Sequence, residues 1–235
     1  MTGTITYVGA GPGDVELMTR AGRRALANAD VVVIDRASSD PIIEAYAPQA
    51  ERVLVGRADG RRALGVDAIA GVLADLHRND RRVVRLKSGD LFVCSRAAEE
   101  IRELRGNGIG VDLVPGVSAA LAAPLHAGLA LLDGDQGTVT IVAGNDDPAY
   151  PAIDWPAIAD APGPVVVLMG RAHQRTIGAA LRAGGRSDGT PVAVVHAATK
   201  ADAAVAHTTL GGLDRADVPA PTTVIVGATR TSGTH

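Results

Sequence analysis

Three short segments place chemically capable residues at the ends of apolar runs. The first is Gly9-Ala10-Gly11-Pro12-Gly13-Asp14. Its glycines suggest a phosphate-cradling turn, but Asp14 stands where a G-x-G-x-x-G fingerprint has its last glycine. Pro12 also removes an amide that would face a pyrophosphate, and Asp14 would repel one. These residues argue against a dinucleotide-dependent dehydrogenase. The second segment, Ser88-Gly89-Asp90, follows Arg85-Leu86-Lys87. Small residues there let a ligand approach the backbone, and Asp90 offers a carboxylate to an amine or to ribose hydroxyls. The same carboxylate would equally well cap the helix that follows. The third is Pro115-Gly116-Val117-Ser118-Ala119-Ala120, in which Ser118 reads as the N-cap of a close-packed, Ala-rich helix. Asp35 ends the run Val31-Val32-Val33-Ile34, where its carboxylate would pair with its neighbour Arg36 or cap a loop.

Other reactive residues offer less. His77, His126, His173, His196 and His207 have no metal-ligand spacing, so no metal site is expected. The single Cys94 rules out an intrachain disulfide and a multi-cysteine metal centre, and no base is recognisable beside it for thiol chemistry.

The elements that position these segments follow from periodicity. Residues 5–8, 31–34, 53–55, 83–86 and 111–114 read as buried strands. Helical patterns over 16–29, 67–78 and 96–105 lie between them, the first starting after Asp14. Alternation of this kind predicts crossover units on a mostly parallel sheet, with ligands beyond the carboxyl ends of the strands. The three segments and the pair Asp35-Arg36 all sit at such ends, so they can converge. The Gly- and Asp-rich stretch 128–137 marks a boundary, which gives domains over 1–130 and 131–235. The second half has strand patterns over 138–143, 165–169, 192–195, 208–210 and 223–226 and one clear helix over 173–183, so its sheet is expected to be mixed. The tail after Gly227 is expected to fray.

Bulk composition sets the remaining bounds. The 235 residues are 46% hydrophobic but only 2% aromatic, which suits Val- and Leu-rich parallel strands under Ala-faced helices. The net charge of -3 and a pI near 6.1 give no basic stripe for nucleic acid. No apolar run approaches the roughly 20 residues needed to span a bilayer. A cytoplasmic protein with a small-molecule substrate, and with no nucleic-acid or membrane partner, is expected.

Taken together and in order, the segments resemble the tetrapyrrole (corrin/porphyrin) methylases, most closely the uroporphyrinogen-III C-methyltransferases. Residues 8–14, 31–36, 52–56, 82–90, 114–123, 165–170, 192–199 and 221–227 carry the resemblance. It implies an α/β, two-domain, class III methyltransferase fold with a mostly parallel N-terminal sheet and a mixed C-terminal one. It also implies a homodimer and an S-adenosyl-L-methionine (SAM) site in the cleft between the domains, with S-adenosyl-L-homocysteine as product. By resemblance, Pro12, Ser88, Gly89, Asp90, Val93, Ser118, Ala119, Met169 and Ala198 are the cofactor-binding positions. Asp35 matches a position proposed as a base. Arg57 stands where the family has a lysine proposed as an acid, a role its guanidinium cannot share, because it holds its proton at any ordinary pH.

The acceptor side departs from the family pattern. Where its members read Gly-Ile-Pro-Leu-Thr-His-Arg, this chain has Gly128-Leu129-Ala130-Leu131-Leu132-Asp133-Gly134. Arg62 replaces a histidine, as does Asn145, while Arg96, Glu99 and Glu100 are retained. A polycarboxylate macrocycle needs cations to meet it, and Asp133 opposes one. The resemblance therefore implies methyl transfer to a different or less anionic acceptor. Two further readings use the same pocket: ring closure of a sulfonium adduct with S-adenosylhomocysteine leaving, in a specialised-metabolite pathway, and SAM binding without chemistry.

Overall fold

The computed structural model describes residues 4–36, 39–56, 63–134, 136–144 and 153–230. The chain divides into two compact units, Met1–Ser118 and Ala119–His235.

The first unit is built on a five-stranded sheet of β1 (Thr4–Gly9), β2 (Val31–Ile34), β3 (Glu51–Leu54), β4 (Val83–Lys87) and β5 (Gly110–Val114). Its order is β3-β2-β4-β1-β5, and every pairing is parallel. Parallel strands need crossovers, which bury both faces of the sheet. Ile5, Tyr7, Val31, Val33 and Val83 accordingly pack in one core with residues of α3 (Val66–Arg78) and α4 (Ala97–Gly106). Val8, Val32, Ile34, Val84 and Leu86 alternate with them and face a second core with Leu26 of α1 (Arg20–Ala27) and Ile42 and Ile43 of α2 (Asp40–Tyr46). Alternation along β4 therefore puts Arg85 and Lys87 on the side occupied by Tyr7 and α4.

The helix expected over 16–29 is two elements. Asp14 accepts the Glu16 amide at 2.9 Å and caps only a 3-10 turn, Val15–Leu17. The chain then extends, and Thr19 caps α1 by accepting the Gly22 amide at 3.2 Å. The short helix α2, with proline in its first turn, was not visible in the periodicity.

The second unit begins with α5 (Ala119–His126), which packs against β8 (Val165–Leu168) and β11 (Thr222–Val226). Its sheet also contains β7 (Thr140–Ala143), β9 (Pro191–His196) and β10 (Ala204–Thr209), in the order β10-β9-β11-β8-β7. Only β7 and β8 pair in parallel, so the sheet is mixed as expected. Helices α6 (Trp155–Asp160) and α7 (Gln174–Ala183) cover a core of Val, Leu and Ile. The segment after Gly227 does not fray at once. Thr229–Arg230 (β12) pairs antiparallel with Leu129–Ala130 (β6). That pairing, and the seat of α5 on β8 and β11, draw residues 119–130 into the second unit instead of the first. No helix among the described residues is long and apolar enough to cross a membrane.

Candidate active site

In the first unit the four polar segments leave the sheet at one end, because β1, β2, β4 and β5 all run the same way. Backbone contacts then lock three of them together. Gly11 and Gly89 form a two-way bridge, the Gly11 amide donating to the Gly89 carbonyl at 3.1 Å and the Gly89 amide to the Gly11 carbonyl at 2.8 Å. The Ala10 amide donates to the Lys87 carbonyl at 2.7 Å. Asp90 spans the second and third segments: Oδ1 accepts the Phe92 amide at 2.9 Å and Oδ2 the Gly116 amide at 3.3 Å. Thr19 adds a fourth tie by donating its hydroxyl to the Pro115 carbonyl at 3.4 Å. Pro12, Ser88, Gly89, Asp90 and Ser118 are thus carried by one interlocked cluster of loops.

Glycine is required where these loops touch. A Cβ on Gly116 would lie 2.3 Å from the Gly89 carbonyl oxygen, inside any real contact. Gly89 differs: its φ is +70°, and a Cβ there would meet no atom within 4 Å. The backbone beside Gly89 is therefore open to a ligand, while its flanks are closed by glycine-on-glycine packing. Downstream, Ser95 Oγ donates to the Leu91 carbonyl, and Cys94 and Arg96 both turn left-handed, at φ 57° and 52°. Val93 is half-buried within this turn. Burial pushes the Cys94 thiol up, which disfavours the thiolate that nucleophilic chemistry would need.

The second-unit candidates sit on their own sheet. Met169 follows β8 at φ 60° and is 40% exposed. Ala198 follows β9 and is buried. Both β8 and β9 run antiparallel to β11, which separates them, so Met169 and Ala198 lie at the same edge of the sheet, one strand apart. Ala119 opens α5. Arg57, Arg62 and Asn145 lie outside the described residues.

Asp35 meets a group of buried charges. Its Oδ1 accepts from the Arg85 guanidinium at 2.6 Å, and its Oδ2 lies 3.0 Å from Lys87 Nζ. Both cations also hold Glu100, Arg85 Nε at 2.9 Å from Oε2 and Lys87 Nζ at 2.9 Å from Oε1. Tyr7 donates its hydroxyl to Glu100 Oε2 at 3.1 Å, and Arg85 donates to the Val33 carbonyl at 3.3 Å. Arg85, Lys87 and Glu100 are at most 7% exposed, while the Asp35 side chain is 34% exposed. Burial alone would push the Asp35 carboxyl up, but Arg85 and then Lys87 outweigh it and hold the group below its ordinary value. Glu100 is held low against the same burial by hydrogen bonds and charge from Arg85 and then Lys87. Burial, followed by the Glu100 charge, raises the Tyr7 phenol far above its usual value, so it keeps its proton and remains a donor.

Comparison with known proteins places this arrangement. The family described as Tetrapyrrole (Corrin/Porphyrin) Methylases matches residues 4–214. The chain belongs to that family. This tetrapyrrole methylase is 37% identical over 228 residues to siroheme synthase 1 of Serratia proteamaculans, covering 96% of this chain and 48% of that one. It thus spans about half the length of the curated relatives it matches. Among solved structures it is similar to the uroporphyrin-III C-methyl transferase from Thermus thermophilus complexed with S-adenyl homocysteine. That match has 32% identity and a TM-score of 0.82, over 96% of this chain and 92% of the other. It is also similar to the cobalt precorrin-4 methyltransferase CbiF, at 26% identity and a TM-score of 0.86, over 95% and 94% of the two chains. The expected family and fold class are borne out.

Sequence reasoning on this methylase missed the buried charge group. Glu100 was noted only as retained, and Arg85 and Lys87 only as flanking a turn. The signal was present in Val83-Val84-Arg85-Leu86-Lys87, where two cations alternate inside a buried strand. Charges at such positions need partners.

Proposed function

We propose that this chain is a SAM-dependent methyltransferase whose acceptor is a tetrapyrrole or a related small molecule less anionic than uroporphyrinogen III. The observation that carries the reading is the interlocked cluster at Gly11, Gly89, Asp90 and Gly116, in a chain that belongs to the methylase family.

The residues fit the cofactor. Gly89 leaves backbone open to a ligand, Val93 adds apolar surface, and Asp90 has lone pairs beyond the two backbone amides that it accepts. We assign Pro12, Ser88, Gly89, Asp90, Val93 and Ser118 of the first unit to SAM, with Ala119, Met169 and Ala198 as further cofactor residues of the second. SAM supplies an activated methyl group. The chain orients: Asp90 and the glycine contacts keep the loops in one geometry, so little freedom is lost when ligands bind. SAM held by Gly89, Asp90 and Val93 would supply a methyl carbon to the acceptor and keep the electron pair of the carbon–sulfur bond on sulfur. A carbon acceptor carries positive charge until it releases a proton.

The acceptor class rests on Leu132, Asp133 and Gly134, which stand where the family pattern carries Thr-His-Arg. A carboxylate in that position repels a polycarboxylate. The resemblance further suggests a homodimer, for which the exposed Leu121 and Leu125 on α5 supply apolar surface. Radiolabelled methyl transfer to uroporphyrinogen III, and to analogues with fewer carboxylates, tests the reading. The less anionic analogues should show the higher kcat/KM. Preference for uroporphyrinogen III would contradict the acceptor assignment.

A further inference from the structure

The structure assigns Asp35 a role other than that of a base: it is a carboxylate hydrogen-bond acceptor, positioned by Arg85 and Lys87, that receives an N–H group of the acceptor molecule. The assignment rests on the methyltransferase reading above and names how that site would engage its acceptor.

The argument is geometric. Each Asp35 oxygen already faces its own cation, Oδ1 the Arg85 guanidinium at 2.6 Å and Oδ2 the Lys87 ammonium at 3.0 Å. A proton arriving on either oxygen would break one of these pairs and leave two buried cations sharing the single charge of Glu100. The group is balanced as it stands: Arg85 and Lys87 carry two positive charges, and Asp35 and Glu100 two negative ones. Among the described residues, the groups facing Asp35 are Arg85 and Lys87 from β4, with Tyr7 from β1 and Glu100 from α4 behind them. Among the described residues after β3, Gly56 lies against the Asp35 backbone, where a Cβ would stand 1.7 Å from the Asp35 carbonyl oxygen. Arg36, the next residue, is exposed.

Asp35 is also the one member of the four that reaches solvent to a useful extent, at 34% against 7% or less. It therefore presents a fixed anionic oxygen at the carboxyl end of β2, with lone pairs to spare beyond those directed at the cations. A group suited to that oxygen is a neutral N–H that grows more acidic during reaction, such as a ring N–H of an electron-rich heterocycle. When a carbon of that ring takes the methyl group, positive charge develops on the ring. The hydrogen bond to Asp35 then strengthens, which favours the transition state over the ground state. The ring proton lost afterwards goes to water, and Asp35 stays ionised throughout.

The full chain, labelled with carbon-13 at aspartate carboxyls, tests this by NMR between pH 8 and pH 3. The Asp35 resonance is identified by its absence in Asp35→Asn. It should remain at its ionised position through the ordinary aspartate value of 3.8. In Lys87→Met the midpoint should rise by about one pH unit, and Lys87→Gln serves if that variant does not fold. A wild-type midpoint at or above 3.8 would overturn the assignment. With a uroporphyrinogen analogue bearing fewer carboxylates as the acceptor probe, Asp35→Asn, which keeps an accepting oxygen, should raise KM, lower kcat by less than about tenfold and leave the acid limb of the pH profile in place. A fall of about a hundredfold or more with that limb abolished is the signature of a lost base and would also overturn it. Failure of the parent reading looks different: SAM would not bind at all, while the NMR titration would still decide the state of Asp35.

Discussion

Gly9 and Gly116 are packed backbone to backbone: a Cβ on Gly9 would stand 2.5 Å from the Gly116 nitrogen, and one on Gly116 would stand 2.6 Å from the Gly9 carbonyl carbon. The carboxyl ends of β1 and β5 can come this close only because neither residue has a side chain. Asp90 then fastens the Gly116 amide from the end of β4. Three strand ends are held as one rigid rim, the geometry expected of a preorganised binding site.

Gly116→Ala should therefore separate these loops. We expect it to destabilise the first unit by about 1–3 kcal/mol, the usual cost of overpacking, and to weaken SAM affinity by at least about tenfold, or 1.4 kcal/mol. Urea denaturation and calorimetric titration of the same preparation measure both. Unchanged affinity would mean that the rim does not touch the cofactor.

The charge group at Glu100 makes a separate prediction about stability. Glu100→Gln leaves Arg85 and Lys87 with only Asp35 as counter-charge. Removing one partner from a buried ion group costs about 3–5 kcal/mol. Because Glu100 and Asp35 are held below their ordinary values of 4.5 and 3.8, their contribution is present above those values and is lost as the pH falls through their lower folded ones. Wild-type stability should accordingly decline in acid from about pH 4.5 downward. The decline should be shallower in Glu100→Gln, which has one such carboxylate fewer. Parallel pH profiles for the two proteins would refute this account of the network.

Gly71 gives the opposite sign. It lies exposed within α3, and a Cβ there would meet nothing within 4 Å. Gly71→Ala should stabilise the chain by about 0.5–1 kcal/mol through helix propensity alone. A lower midpoint of unfolding would show that α3 carries a constraint its surroundings do not reveal.

The proposed homodimer is checked by light scattering on the purified chain. A mass near twice 23.9 kDa is expected, and Leu125→Glu on the exposed face of α5 should shift it toward the monomer. A monomer throughout the micromolar range would remove this part of the account.

The sequence revealed the first unit well because its strands are buried on both faces. Val31–Ile34 is an unbroken apolar run for that reason, and its end marks Asp35. The loops at Gly9, Gly89 and Gly116 were visible as small residues at strand ends, but their mutual contacts join residues far apart in the chain and leave no local pattern. The break at Thr19 was hidden because a 3-10 turn and a helix can share one apolar face. The boundary near residue 130 was read from glycines, whereas the pairing of Leu129–Ala130 with Thr229–Arg230 is set by tertiary contact. The partners of Arg85 were legible only as a need for counter-charge. Nothing in strand periodicity says that Glu100, on a helix packed against the same face, would supply it.

The most direct test of the central claim is calorimetric titration of the purified chain with SAM and with S-adenosylhomocysteine. The account predicts binding of one or both with a micromolar dissociation constant, weakened in Asp90→Ala, which unties the Gly116 amide. No heat from either ligand at millimolar concentration, in a chain shown to be folded, would contradict it.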